Sequence, residues 1–508
     1  MRPVSWSGAR PAARPAAALC CWGLFLVVLL PLVVLRSSDA RFGAALAVQC
    51  VVVVHSGIAL ARVLTDVRAR LIAFGFWLFT YVWLGLAPLA MLATDAYPRG
   101  FLVDAPTAFT STLLVETGLV AYSAGSALAS WRSSRGSTVL APLLARQLAP
   151  GRVLLLCGVA LLIAAVLVPA LGGLPAFFVS RQAHAAAAAQ AEPSGSAGRA
   201  LAAWALSVPA FWALLALVHV PRSAGGDRTL RGLRRGLLPL LIVVNVVVNN
   251  PVSQPRFWAG TVLLALVFGA SWMRGPAAFR IGAAAVAAMV LVVFPYSDYF
   301  RYDKRQDVQV LSLAEQFTSN GDYDAFQQIQ TGVDYVDGHG FTPSAALGPP
   351  LFFVPRPVWP EKPDDAGILL ARHAGYTFEN LSAPLWIEAY MWAGFPSVVV
   401  VFTLIGLVGR RIDELRHRLR HRPGTLAALL VPAFGFYQLV LLRGSLMAIV
   451  GPLALLVCIP LLITRRARRT VRPAAAPAPL GVPLLPSPRT ASSRPRTALS
   501  RPTGGTGT

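Results

Sequence analysis

Leu71-Ile72-Ala73-Phe74-Gly75-Phe76-Trp77-Leu78-Phe79-Thr80-Tyr81-Val82-Trp83-Leu84-Gly85-Leu86-Ala87-Pro88-Leu89-Ala90-Met91-Leu92-Ala93 is a run of 23 residues without one charged side chain. The hydrocarbon core of a bilayer takes about 20 apolar residues in a helix. A soluble helix of that length carries a polar stripe, which this run lacks. Leu71–Ala93 therefore reads as a membrane span. Measured against the same ruler, eleven more runs qualify: Ala17–Leu35, Phe42–Ala61, Ala108–Trp131, Val153–Leu174, Ala200–Val220, Leu237–Asn250, Phe257–Trp272, Ile281–Pro295, Leu385–Val408, Leu426–Leu442 and Leu446–Thr464. The seventh, eighth and ninth in chain order are the shortest. The composition agrees, with 56% hydrophobic residues, 13% charged and a mean hydropathy of +0.60, against about 25% charged in soluble domains. The expected fold is an all-α polytopic membrane protein of about 12 transmembrane helices, or ten if the seventh and eighth form a re-entrant hairpin.

The charges give the orientation. There are 45 basic and 22 acidic residues, a net +23, and every basic residue but Lys304 and Lys362 is Arg. With the abundance of Ala, this suggests a GC-rich bacterial genome. The arginines fall between apolar runs rather than along one polar face, so they read as topology signals and not as a nucleic-acid surface. Placing residues 1–16 in the cytoplasm puts 32 basic residues inside and 13 outside, a strong positive-inside bias. Residues 17–295 then hold spans one to nine, 296–384 an extracytoplasmic loop, 385–464 spans ten to twelve and 465–508 a basic, Pro/Ala-rich cytoplasmic tail expected to be disordered. The first run follows Arg2, Arg10 and Arg14 but ends in Val34-Leu35-Arg36, with no small-residue cleavage site, and reads as an anchor rather than a signal peptide. The expected location is the cytoplasmic membrane, with both ends cytoplasmic. The five cysteines all lie in apolar stretches, which gives no disulfide framework and no Cys-based metal site.

The Tyr296–Pro384 loop carries 12 acidic and 6 basic residues and dwarfs every other outer connection; loops of such length are usually functional. Helix-like pieces (Ser312–Phe317, Tyr323–Thr331) precede Pro355-Arg356-Pro357-Val358-Trp359-Pro360-Glu361-Lys362-Pro363. Four prolines fix that backbone, and the expectation is a rigid extended segment.

These residues, with Gly367, Ser382, Pro384, Glu388, Tyr390 and Gly394 after them and Asn250-Pro251, Arg256 and Tyr299-Phe300-Arg301 before, resemble the Wzy-type O-antigen or oligosaccharide repeat unit polymerases over roughly Leu237 to Gly409. The resemblance implies a membrane glycosyltransferase of the C superfamily, which joins undecaprenyl-diphosphate-linked oligosaccharides into a surface polysaccharide at the outer face of the cytoplasmic membrane. It also implies membrane lipid, a flippase and a chain-length regulator as partners, and no nucleic acid. Since Asp364 and Asp365 are adjacent and His339 and His373 have no paired ligand at helical spacing, catalysis without a metal or other cofactor is expected. Arg356, Arg301, Arg256 and Glu388 become the catalytic candidates. Arg181, Trp359, Lys362, His339, Tyr390 and Arg443 become the substrate-binding ones. Guanidinium forks suit diphosphate oxygens, and a carboxylate such as Glu388 can take the acceptor proton.

Plainer explanations stand beside these. An Arg at a span end often reaches for headgroups, Lys362 and Glu361 can be a surface pair, and Glu388 can be an arginine's structural partner. His55, Glu116 and the Asn245/Asn249 pair lie at membrane depth, where helix-to-helix hydrogen bonding is the simplest role. A glycan ligase shares the donor chemistry. A flippase or exporter would place charged residues along a path through the helices rather than in one dominant loop.

Overall fold

The computed structural model describes residues 13–36, 42–100, 103–131, 139–179, 196–221, 228–252, 254–294, 311–379 and 381–466. Among these, nine helices are long and apolar enough to cross a membrane. They are α1 (Ala16–Leu35), α2 (Ala44–Thr65), α3 (Leu71–Thr94), α4 (Ala105–Trp131), α5 (Pro150–Ala170), α6 (Ser196–His219), α13 (Leu385–Leu419), α14 (Leu426–Arg443) and α15 (Leu446–Ile463). Between α6 and α13 come α7 (Arg228–Val248), α8 (Arg256–Gly269) and α9 (Pro276–Val292), then the loop helices α10 (Leu313–Ser319), α11 (Ala325–His339) and α12 (Ala366–His373). The chain is an all-α membrane bundle. Each of the twelve apolar runs forms a helix. The three shortest fall on α7, which carries Arg228, Arg231, Arg234 and Arg235 in its first turns, and on α8 and α9, of 14 and 17 residues.

The long span α3 is the axis of the core and is buried over nearly its whole length. Pro88 has no N–H to offer the carbonyl four residues before it, and the hydrogen bonding of α3 widens to a π-helical turn over Thr80–Leu86. The carbonyls of Leu84 and Gly85 are then met from α2, where Gln49 Nε2 donates to both at 2.8 and 2.7 Å. At its start α3 is capped from far along the chain, since the Asp413 carboxylate accepts from the amides of Ile72 and Ala73, each at 3.0 Å. Small residues let backbones touch elsewhere. Gly125 and Gly406 bring α4 against α13 at Thr403 and Tyr122, and Gly75 meets Gly435 where α3 crosses α14. The Phe76 and Tyr122 rings stack in between, 3.6 Å apart at their centroids. The intramembrane asparagines bond helix to helix as expected: Asn245 Nδ2 reaches Ala210 O, Asn249 Nδ2 reaches Ser207 O, and Trp258 Nε1 donates to Asn249 Oδ1.

At the loop end of the bundle several helices stop short. Trp83 marks the level, its ring lying 5.7 Å from Phe257 at the start of α8, 5.6 Å from Phe294 just after α9 and 5.7 Å from Tyr323 in the loop. Beyond Trp83, α3 continues for eleven residues, or ~16 Å at 1.5 Å per residue. The first half of α2 runs beside it, and α4 lies against α11. The result is a recess walled by taller helices, and α10, the turn Gly321–Tyr323 and α11 fill it. Residues 322–333 are all buried, whichever side of α11 they occupy. A helix buried all round belongs to a core, so the loop is partly an interior element rather than an outer layer.

Two expectations about the loop change. The helical piece expected at Tyr323–Thr331 extends to His339. The Pro-rich segment is not extended: Val358 and Trp359 amides turn back to Pro355 O at 3.0 and 3.1 Å, and Lys362 N to Trp359 O at 3.1 Å. Prolines set φ but leave ψ free to turn, and the Lys362 ammonium fixes the turn by donating to Phe352 O and Val354 O at 2.6 and 2.9 Å.

Helix α13 is broken near the same level. Gly394 has φ +71° and ψ −152°, a conformation open to glycine, and Ala393 is also non-helical. The break frees Met391 O, which accepts Thr342 N from the loop at 2.8 Å, while the Phe341 ring packs on Gly394. Gly394→Ala should cost about 1–3 kcal/mol of stability. Gly451→Ala in α15, where a Cβ meets nothing, should be neutral or better. Thermal unfolding in detergent, followed by tryptophan fluorescence, distinguishes them; equal melting temperatures would remove strain at Gly394 from the account.

Candidate functional site

The floor of the recess is charged. Asp322 and Asp324 sit on the short turn between α10 and α11, a register set by Ser312 and Glu315 forming a reciprocal cap at the start of α10 and by the Asn320 side chain accepting Asp322 N. Three arginines converge on these carboxylates from three parts of the fold. Arg99 Nε, from the α3–α4 connection, lies 2.7 Å from Asp324 Oδ2. Arg443 Nη2, at the last position of α14, lies 2.8 Å from Asp324 Oδ1. Arg256 Nη2, at the first position of α8, lies 2.5 Å from Asp322 Oδ2. Ser382 Oγ donates to Asp324 Oδ1 at 3.0 Å, and Arg443 also donates to the carbonyls of Gly321 and Asp322. Trp83 Nε1 shares the Asp322 carbonyl at 2.9 Å.

Each guanidinium also lies over an aromatic ring: Arg99 over Phe378 at 4.9 Å, Arg256 over Phe294 at 5.3 Å and Arg443 over Phe257 at 5.4 Å. Asp324 is wholly buried, while the three arginine side chains keep 15–23% of their surface. Among the described residues the cluster brings three cations to two anions. Guanidiniums fixed on one edge by carboxylate and on one face by a ring are preorganised donors for an anion.

The other candidates spread away from this floor. Arg356 is more than half exposed, with Nη2 2.6 Å from Asp364 Oδ1 and Nη1 donating to Lys362 O at 3.0 Å. Asp364 continues to Arg372 at 3.9 Å, and Arg372 to Glu379 at 2.9 Å, next to Phe378. Arg356 thus belongs to a polar strip that runs through residues 372–379 to Arg99. Lys362 is a turn clamp, as given above, and Trp359 is half-buried in the same turn. His339 stacks on Tyr335, 4.3 Å between centroids, and meets His373 edge-on at 5.6 Å. His373 Nε2 is itself 2.8 Å from Asp334 Oδ2. Tyr390 packs among Phe341 and Phe395 beneath the loop. Glu388 is buried, and its Oε1 accepts the Leu446 amide at the start of α15 at 2.8 Å, so its carboxylate is engaged in capping a helix. Arg181 and Arg301 lie outside the described residues.

Sequence reading named Arg256 and Arg443 but not what they bind. Arg99, Asp322, Asp324 and the Asp334–His373 pair carry no motif. Their one signal is that a loop helix with Gln327, Gln328 and Gln330 beside Phe326 and Ile329 mixes polar and apolar residues with no single wet face.

Comparison with models of protein families, with curated proteins and with solved structures finds no match to this chain.

Burial raises the Asp365 carboxyl above the ordinary carboxylate range, with Ser445 and the amides of Gly367 and Ile368 pulling it back. The folded chain then holds this proton more tightly than the unfolded one. Its contribution to stability is full below the unfolded value near 3.9 and is lost as pH rises through the folded value. Asp365→Asn should flatten that part of the stability profile. Asp324→Asn should cost about 3 kcal/mol by leaving two half-buried guanidiniums unneutralised, whereas Asp364→Asn, in an exposed pair, should cost under about 1 kcal/mol. Melting temperatures of the three variants from pH 4 to 8 test both statements; similar losses for Asp324→Asn and Asp364→Asn would refute the second.

Proposed function

We propose that the protein is a membrane glycosyltransferase that polymerises undecaprenyl-diphosphate-linked oligosaccharide units into a surface polysaccharide. On this reading the chain crosses the cytoplasmic membrane twelve times, with both ends cytoplasmic and the recess opening outward. The anchoring of Arg99, Arg256 and Arg443 around Asp322 and Asp324 is the observation that carries it. A diphosphate that reaches the exposed 15–23% of these guanidiniums meets donors already oriented by Asp322 and Asp324, which is the condition for stabilising charge on a departing diphosphate.

The chemistry is a displacement at the anomeric carbon. The acceptor hydroxyl oxygen forms the new C–O bond, the bond from that carbon to the diphosphate oxygen breaks, and the diphosphate leaves with the electron pair. A base takes the hydroxyl proton. The His373–Asp334 pair, an imidazole oriented by a carboxylate, suits that task better than Glu388, which is committed to the Leu446 amide. The parallel Tyr376 and Phe378 rings, 5.4 Å apart, and Trp359 offer faces to sugar rings along the strip between Arg356 and Arg99.

An exporter of lipid-linked glycan is the second reading, favoured by the His55–Glu116 contact of 2.7 Å between α2 and α4 at membrane depth. A glycan ligase shares the first reading's donor chemistry and differs in its acceptor.

Glycan chain length in a deletion strain carrying variants separates these. Arg256→Lys and Arg443→Lys should reduce polymer by about 10²-fold, the usual effect of losing one preorganised donor, with protein levels normal by immunoblot. Arg356→Ala, whose guanidinium is exposed and spent on Asp364, should cost less. Single repeat units should accumulate on the outer leaflet. Units trapped on the inner leaflet would favour export, and full-length lipid-linked polymer lacking transfer would favour a ligase.

A further inference from the structure

The opposite end of the bundle holds a second basic site, independent of the recess. Among the described residues, a cavity of about 180 Å³ opens between α8, α9, α13 and α14, lined by Arg274, Arg416, His417 and Arg420 with Val67 and Pro276 on its apolar side. One water needs only ~15 Å³ of such space, so a polyatomic group fits. None of the three arginines is in an ion pair among the described residues. Arg416 is tethered by long hydrogen bonds, from Nη1 to Ala69 O at 3.3 Å and from Nη2 to Phe268 O at 3.5 Å, which leaves donors to spare. Arg420 Nη1 donates to His417 O and meets His417 Nε2, both at 2.9 Å.

Two further features point to an anion. The first turn of α14 lines the cavity with Ala427 and Ala428, below the Thr425 cap, and α9 begins there at Pro276. The amides of Leu426 and Ala428 are taken by Arg146 O and Thr425, so the α14 start offers the cavity its positive dipole end rather than free donors. Two acids lie near the cavity, and both are engaged: Asp413 accepts the amides of Ile72 and Ala73, and Asp66 pairs with Arg70. Three arginines and two helix starts around one cavity, at the level where α13 leaves the bundle, match a phosphate group at a membrane surface.

We infer that this cavity binds the phosphate of an anionic phospholipid headgroup, or free phosphate, at the end of the bundle opposite the recess. The ligand sits between α9 and the α13–α14 turn and ties them together.

The test uses the full-length protein in neutral detergent, titrated with dioleoylphosphatidylglycerol, dioleoylphosphatidylcholine or inorganic phosphate. Melting temperature and bound lipid by native mass spectrometry are the readouts. Phosphatidylglycerol should raise the melting temperature and remain bound where phosphatidylcholine does not. Arg274→Gln should weaken that response about tenfold or more without lowering the unliganded melting temperature, since Arg274 holds no partner among the described residues. Arg466→Gln, a basic residue at the same end but outside the cavity, should leave it unchanged. A response to inorganic phosphate as large as that to phosphatidylglycerol assigns the site to free phosphate; a response to the lipid alone assigns it to the headgroup. Equal affinity in Arg274→Gln and the wild type, or an equal loss in Arg466→Gln, overturns the proposal.

Discussion

Asp324 has no exposed surface, and both of its carboxylate oxygens are taken by cations from distant parts of the chain. A carboxylate in that position is prohibitive without partners. It requires Arg99 and Arg443 to be present together, and the turn that carries it places Asp322 against Arg256. The loop lies inside the bundle because these pairs exist, and α8, α9 and α14 can be short because the loop supplies the surface they would otherwise leave open. The depth of the recess, the burial of α11 and the level at which α13 begins follow from this one constraint.

How much of this was legible in the sequence varied with the physics behind each feature. Spans were legible because hydrocarbon leaves no alternative to a continuous apolar helix, and all twelve runs are helices. Lengths separated them, since α8 and α9, of 14 and 17 residues, are shorter than the other apolar helices. The Pro-rich segment misled because proline restricts φ alone; the turn was decided by Lys362 and backbone amides, which a pattern of prolines does not encode. Arg256 and Arg443 stood out as charges at span ends. Their partners did not, because a pairing across 119 residues, as between Arg443 and Asp324, leaves no local spacing to read. The intramembrane asparagines were simpler, since a buried amide in a helix has few choices beyond a neighbouring helix.

The two polar regions differ in a way that bears on their roles. In the recess each guanidinium is held by a carboxylate, Arg99 and Arg443 sharing Asp324, and by an aromatic face. In the cavity at the far end Arg274, Arg416 and Arg420 are in no ion pair among the described residues, and Arg274 and Arg416 repel each other. The first is organised by the protein itself, while the second, on the inference above, is completed by a ligand.

The long reach of the Asp324 pairs also sets an order of assembly. Synthesis delivers Arg99 first, then Arg256, then the two aspartates, and Arg443 only 119 residues after Asp324. Until α14 has entered the bilayer, the segment that will become α10 and α11 has one of its two Asp324 counter-ions missing and no finished pocket to occupy. It must wait in water at the membrane surface while α13 and α14 insert beside it, and then move inward as a unit. Its glutamines and aspartates, out of place in a core, are what keep it soluble during that wait.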